Sequence, residues 1–287
     1  MPRLLLLASA TVIFAGPAIS AQPASDLPEI VVEGTTERDK QIQDFVGSLT
    51  QAPIGGQLSR FDWEICPSAV GLPDEQNQAA TERMRRVAVA ARMTLAEPGC
   101  KPNALLVVAD NKQEFIDGLH DKYPIYFADR WGRPNKPDAE PGPATAWHVE
   151  TLVDSNGNVP RRQRTHKYFI SDSTDSSRLY PAHGLNMVAG VVVIDRSALE
   201  GLTTTQVADY AAMRIFARTD PTKLKGNAPT ILDILDSPMG SSVPVTMTEW
   251  DLGFLRALYA SHGRQYANRQ RKEMQGHLRK DLSNEER

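Results

Sequence analysis

The sequence predicts an α+β fold: a mixed sheet of about five strands with helices packed against it. Three observations lead there. Two short, continuous apolar runs, Ala104–Ala109 and Val188–Ile194, have the length and β-branched content of strands buried on both faces. Two longer segments, 75–97 and 204–218, repeat their apolar residues at helical spacing. Between them Asn156-Gly157, flanked by strand-like residues, is a strong hairpin signal.

The chain has 287 residues, with 41% hydrophobic and 23% charged content, as in an ordinary globular protein. Its first 21 residues stand apart. Arg3, an apolar run from Leu4 to Phe14, a Gly16-Pro17 break and small residues near Ala21 read as a cleavable secretory signal. The expected location is therefore the periplasm or the extracellular space. Residues 22–34 read as a flexible leader, 35–262 as one domain, and 263–287 as a charged, solvated tail. No later apolar run is long enough to span a membrane. Losing Arg3 with the signal takes the formal charge from −3 to −4, which argues against general nucleic-acid binding. Cys66 and Cys100 are the two cysteines, and in an oxidising compartment such a pair is most simply a disulfide.

In chain order, Thr36 can cap a helix from about Glu37 to Leu49, with Ile42, Phe45, Val46 and Leu49 on one face. Gln57–Cys66 alternates loosely and is expected as the first strand. Asp74 caps the 75–97 helix, whose arginines Arg83, Arg85, Arg86 and Arg92 fall mostly off the apolar stripe and read as a solvated face. With Ala104–Ala109 this makes a strand–helix–strand unit, which favours parallel pairing. Asp110 and Gln113 suggest a capped helix to about Leu119, and Tyr123–Ala144, rich in Pro, Gly and aromatics, a long surface loop. Tyr126 and Trp131 could line a groove there or pin the loop to the core.

The hairpin would pair Trp147–Asp154 with Val159–Ile170. His148 and Glu150, two apart, must share a face. A tight turn sets them opposite Thr165 and Gln163, with His166 on the other face unless Pro160 shifts the register. His148, Glu150 and His166 are thus candidates for a metal or acid–base site, weighed against ordinary strand residues. Arg161, Arg162, Arg164 and Lys167 form a local basic ribbon. After the second buried strand, Thr203 and Gln206 form a capping box for the 204–218 helix. Thr230–Leu235 is a short apolar turn, and Thr248 caps a last core helix burying Trp250, Phe254, Leu255 and Leu258.

Three signatures are missing: a phosphate-cradling glycine loop, a G-x-S-x-G elbow and an H-E-x-x-H helix. Even so, the order of elements resembles that of metzincin-type zincin domains. In that family the helix after the last strand carries H-E-x-x-H, two imidazoles for zinc and a glutamate to activate water. Here Asp209-Tyr210-Ala211-Ala212-Met213 stands at that place, and of these Asp209 alone could ligate a metal well. The chain is also similar to secreted alphaproteobacterial proteins, which implies export but no activity. The resemblance implies a degenerate, non-catalytic zincin-like domain without a cofactor. Its expected binding surface is the cleft beside the 204–218 helix or the 123–144 loop, for an envelope component or protein partner. The alternative is a metal-dependent hydrolase, with zinc, built on His148, Glu150, His166 or Asp209.

Overall fold

The computed structural model describes residues 33–50, 56–129, 136–137, 140–162, 169–170, 180–181, 183–224, 226, 228–238 and 240–285. The signal segment 1–21, the leader up to residue 32, Trp131, Arg164, His166 and Lys167 lie outside them. The elements are α1 (Glu33–Leu49), β1 (Pro67–Val70), α2 (Asp74–Ala90), β2 (Ala104–Ala109), α3 (Lys112–Lys122) and β3 (Ala144–Val153). They continue with β4 (Arg161–Arg162), β5 (Phe169–Ile170), β6 (Gly184–Asp195), α4 (Thr204–Phe216), α5 (Glu249–Ala260) and α6 (Ala267–Glu285).

The fold is α+β, with a four-stranded mixed sheet in the order β1-β2-β6-β3 and a separate two-stranded β4-β5 pair. β1, β2 and β6 run parallel, and β3 closes one edge antiparallel to β6. Two expected strands differ. Gln57–Cys66 makes only isolated bridges, Arg60 to Asn186 and Ile65 to Leu95, and the first strand is the next four residues. Gly71 ends that strand at φ 93°, and a Cβ there would lie 2.0 Å from the Val108 carbonyl oxygen, so no larger residue fits. The Asn156-Gly157 turn does form, with Gly157 N–H donating to the Asp154 carbonyl at 3.1 Å, but the segment after it is not the partner of β3. β6 takes that place and offers β3 ten paired residues, against the two-residue pairing of β4 with β5.

Period-two alternation divides the sheet's side chains between two cores. Val107, Trp147 and Val193 face α3 and pack with Ile116 and Phe127, whose ring stacks on Trp147 at 5.0 Å. Phe127 is thus the aromatic that pins the long loop, while Tyr126 is half exposed and gives its carbonyl to Trp147 Nε1. Leu106, Val108, Val192 and Ile194 face the larger core under α2 and α4. A bulge between Val149 and Glu150 leaves Val188 of β6 without a partner residue. It shifts the parity of β6 so that Met187, fully buried, joins the larger core as well.

Helix boundaries follow local chemistry. The 75–97 helix stops early, at Ala90. Arg92 takes φ 62°, with its N–H donating to the Val89 carbonyl and the Met93 N–H to that of Ala88, the bond pair of a Schellman stop. Residues 94–96 are then free to bridge Ile65. Asp74 is the first helical residue and not the cap, and Asn111, not Asp110, caps α3. The capping box at Thr203 forms as expected, and Thr248 caps α5 as expected, in a capping box completed by Asp251.

The C-terminal segment is not a solvated tail. Ala267, Gln270, Met274, Leu278 and Leu282, three or four apart, make one buried face of α6 packed on α5 and α1. Cys66 and Cys100 are joined, tying the start of β1 to the loop before β2. No helix among the described residues is long and apolar enough to cross a membrane. The crosslink closes a 34-residue interval and so contributes about 3–4 kcal/mol by loop-closure entropy. The Cys66→Ser/Cys100→Ser double variant should lose about that much in urea unfolding, and wild type in reductant should match it.

Candidate functional site

α4 holds the position at which the resemblance expects metal ligands, and it is core on every side. Each residue from Gln206 to Phe216 is buried, between the sheet, α2 and α5. Asp209 is completely buried and its acceptors are occupied. Arg83 Nε and Nη2 donate to its two oxygens at 2.6 and 2.9 Å, while Thr246 Oγ1 and the Met247 N–H each donate at 2.7 Å. Oδ2 takes three of these donors and Oδ1 one, and the Arg83 guanidinium supplies the countercharge, so the carboxylate is committed to contacts within the protein. Met213 is fully buried, and the Tyr210 hydroxyl accepts from Arg214 Nη1 at 3.2 Å, with burial raising its pKa.

A second ion pair, between buried Arg214 and half-buried Glu140, anchors the loop before β3. Arg214 Nη2 donates to Glu140 Oε2 at 2.5 Å, and Lys112 Nζ donates to the carbonyls of Glu140 and Gly142 at 2.7 and 2.5 Å. Desolvation lowers the Lys112 pKa, against the opposing pull of Asp195 and Glu140. Arg83, Glu140 and Lys112 escaped the sequence reading. Arg83 looked solvated because it lies off the apolar stripe of α2, and its partner is 126 residues away.

His148 and Glu150 do share a face, towards the C-terminal end of α4. His148 Nε2 donates to the Ile215 carbonyl oxygen at 2.9 Å, since a carbonyl can only accept. Gly190 makes room: a Cβ there would stand 2.9 Å from that oxygen and 3.2 Å from the imidazole. The Tyr259 hydroxyl donates to the next carbonyl, Phe216, at 2.7 Å. Both bonds satisfy acceptors that a helix end leaves open, so the histidine works as a C-terminal cap. Glu150, 10% exposed, accepts from Ser59 Oγ at 2.5 Å and from Arg218 Nη1 at 3.4 Å. The cavity between Ser59, Arg218, Ala217 and Phe254 is about 10 Å³, room for about one water molecule. Asp209 is six residues from Ile215, about 9 Å along the helix, so it does not converge with His148. His166 lies outside the described residues. Among the described residues no three His, Cys, Asp or Glu are placed to hold one metal ion.

An accessible groove of about 580 Å³ lies elsewhere, between the turn after β3 and the α5–α6 connection. Arg60, Asp62, Asp154, His262, Arg264 and Glu273 are its ionisable lining. Arg60 forms one wall, its Nη1 donating to the carbonyls of Leu258, Tyr259 and Ser261 at the end of α5, and its Nε to Asp62 at 2.7 Å. None of the groove's lining residues belongs to the 204–218 helix or the 123–144 loop. Comparison with protein-family models, curated proteins and solved structures finds no match for the chain.

Two outcomes follow. Arg83→Ala leaves a buried carboxylate without its countercharge and should lower stability by about 3 kcal/mol. Arg86→Ala, at an exposed position, should change it by less than about 0.5 kcal/mol, both read from urea midpoints. His148 has its pKa pushed down to about 4, mainly by desolvation, with Glu150 pulling the other way. The unfolded imidazole, near 6.5, therefore takes its proton first as pH falls. The ring's contribution is complete above about pH 6.5 and is lost towards pH 4, by about 2–3 kcal/mol. The pH dependence of Tm should be shallower over that window in His148→Gln than in wild type.

Proposed function

We propose that this chain is an exported, non-catalytic binding domain of the cell envelope, with a zincin-like order of elements. One observation carries the reading: the α4 position that resembles a zinc-bearing helix is closed. Its potential ligand Asp209 is buried and engaged by Arg83, Thr246 and Met247, and its neighbours are core. An open catalytic helix needs a face towards substrate, whereas α4 gives all of its faces to packing. Export is supported by the signal-like N-terminus and by the Cys66–Cys100 crosslink, which persists in oxidising compartments. Binding is supported by the groove, whose size falls in the roughly 300–1,000 Å³ range of small-ligand sites.

The metal-dependent alternative has one observation in its favour, the common face of His148 and Glu150. Elemental analysis of the full mature chain separates the two readings. The binding-domain reading expects substoichiometric zinc, unaffected by His148→Ala. Stoichiometric zinc that disappears in that variant would overturn it.

A further inference from the structure

We propose that the groove beside the α5–α6 connection binds a ligand through a single carboxylate group, with Arg264 and His262 as its donors. This rests on the binding-domain reading and gives that reading a ligand class. The case is made by which lining groups are already engaged. Arg60 is held by three carbonyls and Asp62. Asp154 Oδ1 accepts from the N–H groups of Asn156 and Asn158 in its own turn, at 2.8 and 3.0 Å. Glu273 Oε2 accepts from the His262 N–H at 2.9 Å.

Two donors are left over. His262 Nδ1 accepts from the Arg264 N–H at 3.3 Å, so the neutral ring carries its proton on Nε2. The imidazole is exposed, its ring 5.4 Å from that of Tyr180. The Arg264 guanidinium has no acceptor among the described residues, and its Nε is shut away from solvent without a partner. A sequestered N–H of this kind is unfavourable, more so on a charged group, until an acceptor arrives. Behind the groove lining, His183 Nε2 is also buried without a partner among the described residues, and a Cβ on adjacent Gly184 would lie 3.9 Å from Arg264 Cγ. A planar guanidinium whose N–H groups lack acceptors is matched by a carboxylate, which accepts two parallel bonds.

The surrounding charges choose among anions. Asp62, Asp154 and Glu273 outnumber Arg60 and Arg264, so a second negative charge on the ligand is repelled. A monoanionic carboxylate is favoured over phosphate. Val153 and Ala260 supply apolar lining for a short aliphatic body.

The test is a calorimetric and NMR titration of the full mature chain with N-acetylleucine, N-acetylleucinamide and inorganic phosphate, following the Arg264 Nε–H signal. The acid should bind saturably and shift that signal. The amide should bind at least tenfold more weakly, as should phosphate. Arg264→Gln, its fold checked by circular dichroism, should weaken the acid at least tenfold, whereas Arg269→Gln on the exposed side of α6 should not. Equal binding of acid and amide overturns the proposal even if the variant fails to fold. So does tighter binding of phosphate, undiminished binding by Arg264→Gln, or no binding of the acid. None of these bears on zinc content, so the groove and the non-catalytic reading fail separately.

Discussion

A carboxylate placed in the middle of a buried helix is unfavourable by several kcal/mol unless donors surround it, and Asp209 is in that position. Its four donors fix three pieces of chain at once: α2 through Arg83, the segment before α5 through Thr246 and Met247, and α4 itself. Gln206, one turn earlier, adds a bond to the Pro244 carbonyl at 2.8 Å. A second buried carboxylate continues the chain of constraints. Asp251 in the first turn of α5 accepts from Thr230, Ile231 and Thr248, while burial raises its pKa against those bonds. Together the two acids hold α2, α4, α5 and the short 3-10 turn at Ile231–Leu235 in one arrangement. The interior polar groups here set geometry, and the apolar burial around them supplies the stability.

The same logic explains His148 and Glu150. Their common face on β3 points at the end of α4, where carbonyls have no partners within the helix. His148 and Tyr259 fill two of them from different elements, which seals the end of the helix against the sheet. A neutral imidazole suits this role, because the acceptor needs one N–H and the site disfavours charge. At the end of α5 Arg60 does the corresponding work for three carbonyls, and it does so with a guanidinium that also forms the groove wall. The groove therefore exists because a helix end is capped from outside. Arg264, on the connection that follows, finds no acceptor among the described residues.

How much of this was legible depended on range. The capping box at Thr203, the cap at Thr248, the strand Ala104–Ala109 and the cysteine pair rest on neighbouring residues or on a single pairing choice, and they read correctly. The common face of His148 and Glu150 needed only the period of a strand. The hairpin failed because a correct turn at Asn156-Gly157 does not oblige the following residues to pair with β3. The longer and more apolar β6 competes for the same edge and wins. Met187 and its neighbours carry a bulge that no local rule placed. The tail was misjudged because its stripe is sparse: Met274, Leu278 and Leu282 stand alone among charges, yet one residue per turn is enough when α5 and α1 receive it.

By itself, then, the sequence determined the α+β class, the two buried strands, the caps at Thr203 and Thr248, the crosslink and the absence of a zinc-binding motif on α4. These follow from periodicity, caps and residue chemistry acting over a few residues. The tertiary structure alone decided that Asp209 is a structural anchor, that β6 displaces the hairpin, that α6 belongs to the core, and that Arg264 lines an open groove. Each of those depends on a partner far along the chain, 126 residues in the case of Arg83 and Asp209. Such contacts are selected by the packing of the whole fold and leave no local pattern to read.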